Sequence, residues 1–348
     1  MRSILVTGGC GFLGSHVSLK LIEKGYYVYI VDSNVNSSIK ALESINLICQ
    51  KKQLPSNLYF LKGDIRNEDS LANIFKVSHE QGRPIEGVIH FAGLKSVSNS
   101  FLHPIEYWDV NFGGTLKLVK VMDRFHCRTL IFSSSATVYG HSDCPRLHEN
   151  LKFNPISPYA QNKAATETFL NKISSIQTKK WKIANLRYFN PIGAHESGLI
   201  GEDIFGKVNN IFPMINQVSL GFQKELRIFG NNWPTEDGTP VRDYIHVMDL
   251  ADGHLEVLEK LLIGRCRVLN LNLGTGKGTS VLELIKIFQD VNKVKIPYVF
   301  SDRRKGDVSQ LIACNRLAKL ELDWEPKRNL NEMCKDGWNW YKKNLKVQ

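Results

Sequence analysis

The sequence predicts an α/β fold: a doubly wound parallel sheet with a smaller α/β C-terminal lobe. Three observations point there. Short β-branched or apolar runs alternate with longer amphipathic stretches through the first 188 residues, the pattern of successive βαβ units. A glycine-spaced turn stands between the first run and the first amphipathic stretch. After Tyr188 the order loosens, and Gly and Pro become frequent.

The first run, Ser3 to Thr7, is too short for a helix and carries the apolar residues of a buried strand. Phe12 to Glu23 places its apolar residues at helical spacing. Further strands are predicted at Tyr27 to Val31, Leu58 to Leu61, Gly87 to Phe91, Thr129 to Phe132 and Lys182 to Leu186, with helices at Ile105 to Arg124 and Pro158 to Ile173. Ile192 to Glu202 and Gly230 to Val241 read as loops. A strand at Tyr244 to Val247 and a helix at Asp249 to Leu262 then rejoin the first lobe. No internal repeat or low-complexity segment is present, which removes solenoids and propellers.

At 348 residues the chain exceeds one ordinary domain, and 43% hydrophobic with 23% charged residues excludes disorder and fibres. No window approaches the ~18 to 20 apolar residues of a membrane helix, and Gly8, Gly9 and Gly11 break the opening apolar run, so no membrane association and a cytoplasmic location are expected. Seven scattered cysteines with no CxxC pair suggest reduced thiols, with neither a disulfide framework nor a metal site. The net charge of +11 is dispersed, with no run of five like charges, and reads as a basic soluble surface that does not bind nucleic acid.

The turn Thr7-Gly8-Gly9-Cys10-Gly11-Phe12-Leu13-Gly14-Ser15-His16 spaces glycines at 8, 11 and 14. Such glycines allow a sharp strand-to-helix turn and bring backbone N–H groups to a pyrophosphate at a helix N-terminus. A plain tight turn would use the same residues, but the placement between strand and helix favours a dinucleotide. Asp32 ends the second strand, where a carboxylate can accept from ribose hydroxyls and would repel a 2′-phosphate, so NAD is inferred over NADP. The alternative for Asp32 is a loop cap. Asp64-Ile65 stand where a side chain reaches an adenine edge, although Gly63-Asp64 is also ordinary turn chemistry.

Downstream, Ser133-Ser134-Ser135 closes the fifth strand, and Tyr159 and Lys163 stand at i and i+4 on a helix opening at Ser157-Pro158. A tyrosine is a poor base at neutral pH unless a nearby ammonium favours its phenolate, and Lys163 supplies that field. Ser135 would hydrogen-bond the reacting hydroxyl and help pass its proton to Tyr159. A Tyr-x-x-x-Lys pair alone is frequent on helix surfaces; joined to the glycine turn, Asp32 and the serine-rich strand, it marks a site.

With these residues the chain resembles the extended short-chain dehydrogenase/reductase family, and within it the UDP-glucose 4-epimerases, almost end to end. The resemblance extends through His90-Phe91-Ala92-Gly93-Leu94-Lys95, Leu186-Arg187-Tyr188-Phe189-Asn190-Pro191, Gly201-Glu202-Asp203, the run Ile228 to Val247, and Arg304-Lys305-Gly306-Asp307. It implies a Rossmann NAD-binding domain over residues 1–188, also receiving part of 240–265, and a UDP-sugar-binding domain over 189–348. The implied activity is a redox-neutral inversion at C4 of UDP-glucose and UDP-galactose through a transient 4-keto sugar, with bound NAD.

The same resemblance assigns Ser135, Tyr159 and Lys163 to catalysis. It assigns Gly8, Gly11, Phe12, Leu13, Gly14, Asp32, Asn36, Ser37, Asp64, Ile65, Phe91, Ala92, Gly93, Lys95, Asn111, Ser133, Tyr159, Lys163 and Tyr188 to NAD. Lys95, Ser135, Phe189, Asn190, Asn209, Asn210, Arg227, Ile228, Phe229, Arg242, Arg304, Asp307 and Leu311 fall to the UDP-sugar. A homodimer through Pro104 to Arg124 and Pro158 to Ile173 is implied as well.

Three departures stand out. Ala160-Gln161-Asn162 replaces Gly-Lys-Ser after Tyr159, and Ile204-Phe205-Gly206 replaces Pro-Gln-Gly after Asp203. Leu311 fills a position that is Tyr in narrow-specificity members and small in broad ones. Related sugar-nucleotide dehydratases carry an acidic pair where this chain has Ala136-Thr137-Val138, which argues against dehydration. Activity on UDP-N-acetylhexosamines, and a catalytically silent NAD-binding sensor, are the alternatives.

Overall fold

The computed structural model describes residues 1–55, 57–176, 180–203, 210–264, 268–304 and 306–344. In chain order they form β1 (Ser3–Thr7), α1 (Phe12–Glu23), β2 (Tyr27–Asp32), α2 (Lys40–Lys51), β3 (Leu58–Lys62), α3 (Glu68–Glu80), β4 (Ile85–His90), α4 (Val97–Leu102), α5 (Pro104–Tyr107), α6 (Gly114–Arg124), β5 (Thr129–Ser135), α7 (Pro158–Ser174), β6 (Lys182–Tyr188) and β7 (Asn190–Ile192). Then follow α8 (Ile211–Ser219), β8 (Leu226–Phe229), β9 (Val241–Arg242), β10 (Tyr244–His246), α9 (Val247–Ile263), β11 (Val268–Leu273), β12 (Thr279–Ser280), α10 (Val281–Asn292), β13 (Tyr298–Ser301), β14 (Gln310–Leu311), α11 (Arg316–Leu322) and α12 (Leu330–Asn344).

Among the described residues, seven strands build the main sheet in the order β11-β6-β5-β4-β1-β2-β3, and every pairing is parallel. The chain leaves β1 for β2 and β3 on one side and returns to lay β4 on the other. A crevice therefore opens at the carboxyl ends of β1 and β4, where open α/β sheets take their ligands. Side-chain alternation decides the two faces. Ile4 and Val6 of β1 pack with Leu19, Ile22 and Leu258 beneath α1 and α9. Leu5, between them, joins Phe75, Leu118 and Leu130 on the opposite face.

The expected continuous helix from Ile105 to Arg124 is in fact α5 and α6 joined by a π-helical segment, Trp108–Gly113. Two tertiary demands account for the break. Asn111 inside the segment hydrogen-bonds the backbone of Leu94, and a Cβ on Gly114 would lie 2.6 Å from Ile65, so α6 is drawn against the sheet.

After the return helix α9 the chain adds β11 beside β6, so the main sheet takes residues through Leu273. The second lobe has its own core, with Phe212, Ile215, Ile228, Phe288, Trp338 and Tyr341 among its members. Among the described residues, no helix is long and apolar enough to cross a membrane.

Candidate active site

The cofactor side of the crevice begins at the glycine turn. Gly8 has φ +70°, and a Cβ there would meet the Ala92 nitrogen at 2.7 Å. At Gly14 a Cβ would come within 2.2 Å of the Gly8 carbonyl, so α1 can approach β1 this closely only with glycine. Gly11 is the N-cap of α1, with no side-chain cap and no acidic residue in the first turn. By contrast, Asn67 caps α3 through the backbone N–H groups of Asp69 and Ser70. The first-turn amides opened by Phe12 and Leu13 are thus left to an anion.

Asp32 is buried, and its carboxylate accepts from the Cys10 backbone (2.9 Å), the Asn34 backbone (2.9 Å) and the Ser37 hydroxyl (2.7 Å). It stitches the glycine turn to the β2–α2 loop, on which Asn36 is exposed. A carboxylate has about four lone-pair sites, so one remains for a ribose hydroxyl. Asp64 is gripped by Arg66, 2.7 Å from Nη2, and that guanidinium holds its carboxyl below its usual range. Ile65 is buried.

Phe91 and Ala92 donate backbone N–H bonds to the Thr7 carbonyl at 3.0 and 3.1 Å, aligning the β4 loop over the turn. Asn111 spends its amide on Leu94, which places it behind Gly93 as a clamp for that loop. Lys95 reaches across the crevice to Glu202 of the second lobe (2.9 Å).

The residues expected to react lie at the end of β5 and on α7. Ser133 and Ser135 face one way and Ser134 the other. Lys163 donates to the Ser133 carbonyl (2.6 Å), and its Nζ sits 4.8 Å from the Phe132 ring centre and 5.7 Å from that of Tyr159. Ser135 Oγ accepts from the Thr137 hydroxyl (3.0 Å) and the Thr137 backbone (3.2 Å), leaving its own proton to point at the Tyr159 oxygen. Burial pushes the Tyr159 phenol up to about 12, while the Ser135 hydrogen bond pulls it down. Burial also lowers the Lys163 ammonium to about 8, with Glu167 opposing that shift. Tyr188 lies beside them, its hydroxyl 2.5 Å from His254 Nε2. Because His254 Nδ1 must donate to the Leu250 carbonyl and burial keeps the ring neutral, Nε2 accepts from Tyr188.

On the second lobe, Arg242 Nη2 stands 3.8 Å from Asp307, and the Arg304 guanidinium lies 3.6 Å over the Phe229 ring. Arg227 shares a face of β8 with Phe229, whereas Leu226 and Ile228 are buried on the other. Asn190 donates its backbone N–H to the Asp243 carbonyl, Asn210 stands at the N-cap position of α8 without a side-chain capping bond, and Asn209 lies outside the described residues. Leu311 registers against Arg242 and packs with Phe189, Ala136 and Val138. It therefore stands between the serine strand and the arginines.

These features fit a dinucleotide on the sheet side and an anionic ligand opposite. A family profile described as GDP-mannose 4,6 dehydratase matches residues 5–337. The UDP-glucose 4-epimerase of Bacillus subtilis is 43% identical over 343 residues, spanning 99% of this chain and 98% of that protein. The chain belongs to the UDP-glucose 4-epimerase family.

A crystal structure of the epimerase from Bifidobacterium longum, in complex with NAD+ and UDP, superposes with a TM-score of 0.91 at 41% identity and 99% coverage of both chains. The epimerase from Stenotrophomonas maltophila, with bound NAD and formylated UDP-arabinopyranose, gives 0.92 at 40% identity, covering 99% of this chain and 98% of that one. Within this epimerase frame, sequence reasoning missed Thr137, which fixes the Ser135 proton, and His254, which holds Tyr188. Thr137 was readable two residues after the serine strand; His254 was not, being 66 residues from its partner. Asn162, one of the departures, is buried with both amide atoms unpartnered.

Proposed function

We propose that this chain is an NAD-dependent UDP-glucose 4-epimerase that interconverts UDP-glucose and UDP-galactose by reversible inversion at C4. The observation that carries this reading is Tyr159 hydrogen-bonded to Ser135 on the same helix face as Lys163. Gly8, Gly11, Phe12, Leu13 and Gly14 would hold the pyrophosphate of NAD, Asp32 a ribose, and Phe91 to Gly93, Ser133 and Tyr188 the nicotinamide end. Bound there, NAD supplies a reversible hydride acceptor at C4.

Tyr159 takes the proton from O4 through Ser135, and Lys163 holds the charge that favours the phenolate. The 4-keto sugar turns about its phosphate linkage and accepts the reverse transfer on its other face. Arg242 and Arg304 neutralise the diphosphate, and such charge-assisted bonds fix the nucleotide while the hexose turns.

Residues 1–188, with α9 and β11 returning to them, serve as the NAD domain, and the rest of 189–348 as the UDP-sugar domain. Exposed Ile105, Trp108 and Leu116 support a homodimer through Pro104 to Arg124 and Pro158 to Ile173, and the protein works in the cytoplasm. Leu311, intermediate in bulk, supports a second reading in which UDP-N-acetylhexosamines are poor substrates.

Incubation with UDP-galactose, without added NAD, should yield UDP-glucose on chromatography, and the nucleotide extracted from denatured protein should be NAD. A 4-keto-6-deoxy product would make the protein a dehydratase. No conversion with NAD in place would make it a sensor, and extracted NADP would overturn the reading of Asp32.

A further inference from the structure

Behind the reacting groups runs a buried polar network that the proton transfer itself does not use. Tyr159, Lys163 and Glu167 follow one another at four-residue steps along one face of α7. Glu167 is fully buried. Its carboxylate accepts from the Ser134 hydroxyl and from Arg187, through Nε at 3.1 and 3.2 Å and Nη2 at 2.8 Å. Arg187 Nη1 continues to the Tyr139 hydroxyl (2.8 Å) and the Glu149 carbonyl (3.1 Å), and Tyr139 donates to Asn272. Ser134 lies between Ser133, whose carbonyl receives the Lys163 ammonium, and Ser135, which meets Tyr159.

We propose that Glu167 is a positioning residue: it fixes the register of the serine strand through Ser134 and keeps the Lys163 ammonium charged while Arg187 balances it. The proposal rests on Tyr159 and Lys163 being the proton-transfer pair. The groups facing Lys163 from other elements do not substitute for that carboxylate. His90 on β4 is held neutral by burial. Tyr107, Tyr139 and Tyr188 have phenols raised above their ordinary range, so they stay uncharged near neutrality. Arg187 is a cation already bound to Glu167. Against the burial that strips the Lys163 proton, Glu167 is the carboxylate acting on that ammonium.

The test is the pH profile of kcat/KM in the NAD-loaded enzyme for three variants. Glu167→Gln alone strands a buried guanidinium and risks the fold. The double variant Glu167→Gln/Arg187→Gln avoids that stranded charge. Glu167→Asp keeps the carboxylate and serves as the conservative rescue. In the double variant, and in Glu167→Gln if it folds, the alkaline limb should move to lower pH by about half a unit or more, with kcat changing more than KM. In Glu167→Asp the limb should stay near the wild-type position.

An unmoved limb in the folded double variant, with kcat lowered evenly at every pH, would make Glu167 a purely structural residue and overturn the proposal. Lys163→Met, run in parallel, keeps the two levels apart. If it retains wild-type turnover, the proton-transfer reading has failed rather than the role of Glu167.

Discussion

The two walls of the crevice are built differently. On the sheet wall the proposed reacting groups sit at a strand end and on a helix face, backed by the buried chain Ser134–Glu167–Arg187–Tyr139–Asn272. On the second-lobe wall, the two-residue strand β9 carries Arg242, and the loop after β13 lays arginines over aromatic rings, Arg304 on Phe229 and Arg303 on Trp233. Proton transfer needs atoms held within tenths of an ångström, which a cross-linked interior provides. A diphosphate needs charge within reach, and guanidinia on a loop and a short strand suffice for that. Substitutions on the first wall should therefore act on kcat, and those on the second on KM and on the choice of sugar.

The largest effect should come from Tyr159→Phe. A general base contributes about 10² to 10⁴-fold, so kcat should fall by that much with the Kd for UDP nearly unchanged. A variant that keeps its kcat would dissolve the distinction between the walls. On the other wall, Arg304→Ala should raise the KM for UDP-galactose by about 10 to 100-fold, the worth of a lost charge-assisted contact, while kcat stays within a few-fold. A kcat loss as large as that of Tyr159→Phe would show both walls acting in the chemical step.

Leu311 sharpens the comparison because it belongs to both walls, registered on Arg242 and packed against the cluster that holds Ala136 and Val138, just after the serine strand. An overpacked contact costs roughly 1 to 3 kcal/mol, so the acetamido substrate should be disfavoured by about 10 to 200-fold in kcat/KM. Leu311→Ser should narrow that ratio and leave UDP-galactose little changed, as a substrate panel would show. Equal handling of both sugars by the wild type would remove Leu311 as a gate.

The smallest effect is the pH dependence. In the folded protein the Lys163 ammonium is lost from about 8 upward, so kcat/KM should decline above that pH. The stability contribution has the opposite sign. The unfolded chain keeps this proton up to about 10.5, so between about 8 and 10.5 the folded state binds fewer protons and the Lys163 contribution rises with pH. Activity at pH 9 equal to that at pH 7 would separate Lys163 from the chemistry.

Much of the sheet wall was legible because its signals are local. The glycine triplet, Asp32 at a strand end, and Tyr159 with Lys163 on one helix face all follow from spacing within a single element. Strand β11 was not, because a buried parallel strand usually reads as an unbroken apolar run, whereas Leu269 to Leu273 alternates leucine with asparagine. Those asparagines are satisfied from afar: Asn270 by Asn185 and Asn272 by Tyr139. The partners of Asn111 and Glu202 were not legible for the same reason, since Leu94 and Lys95 reach them only after folding.

The central claim is that the sheet wall carries a closed hydride and proton exchange at C4 while the second wall only holds the nucleotide. It is tested most directly with UDP-galactose deuterated at C4, turned over in ordinary water without added cofactor. The expected product is UDP-glucose with the deuterium still at C4 and no accumulation of NADH. Deuterium lost to solvent, or steady release of NADH, would contradict it.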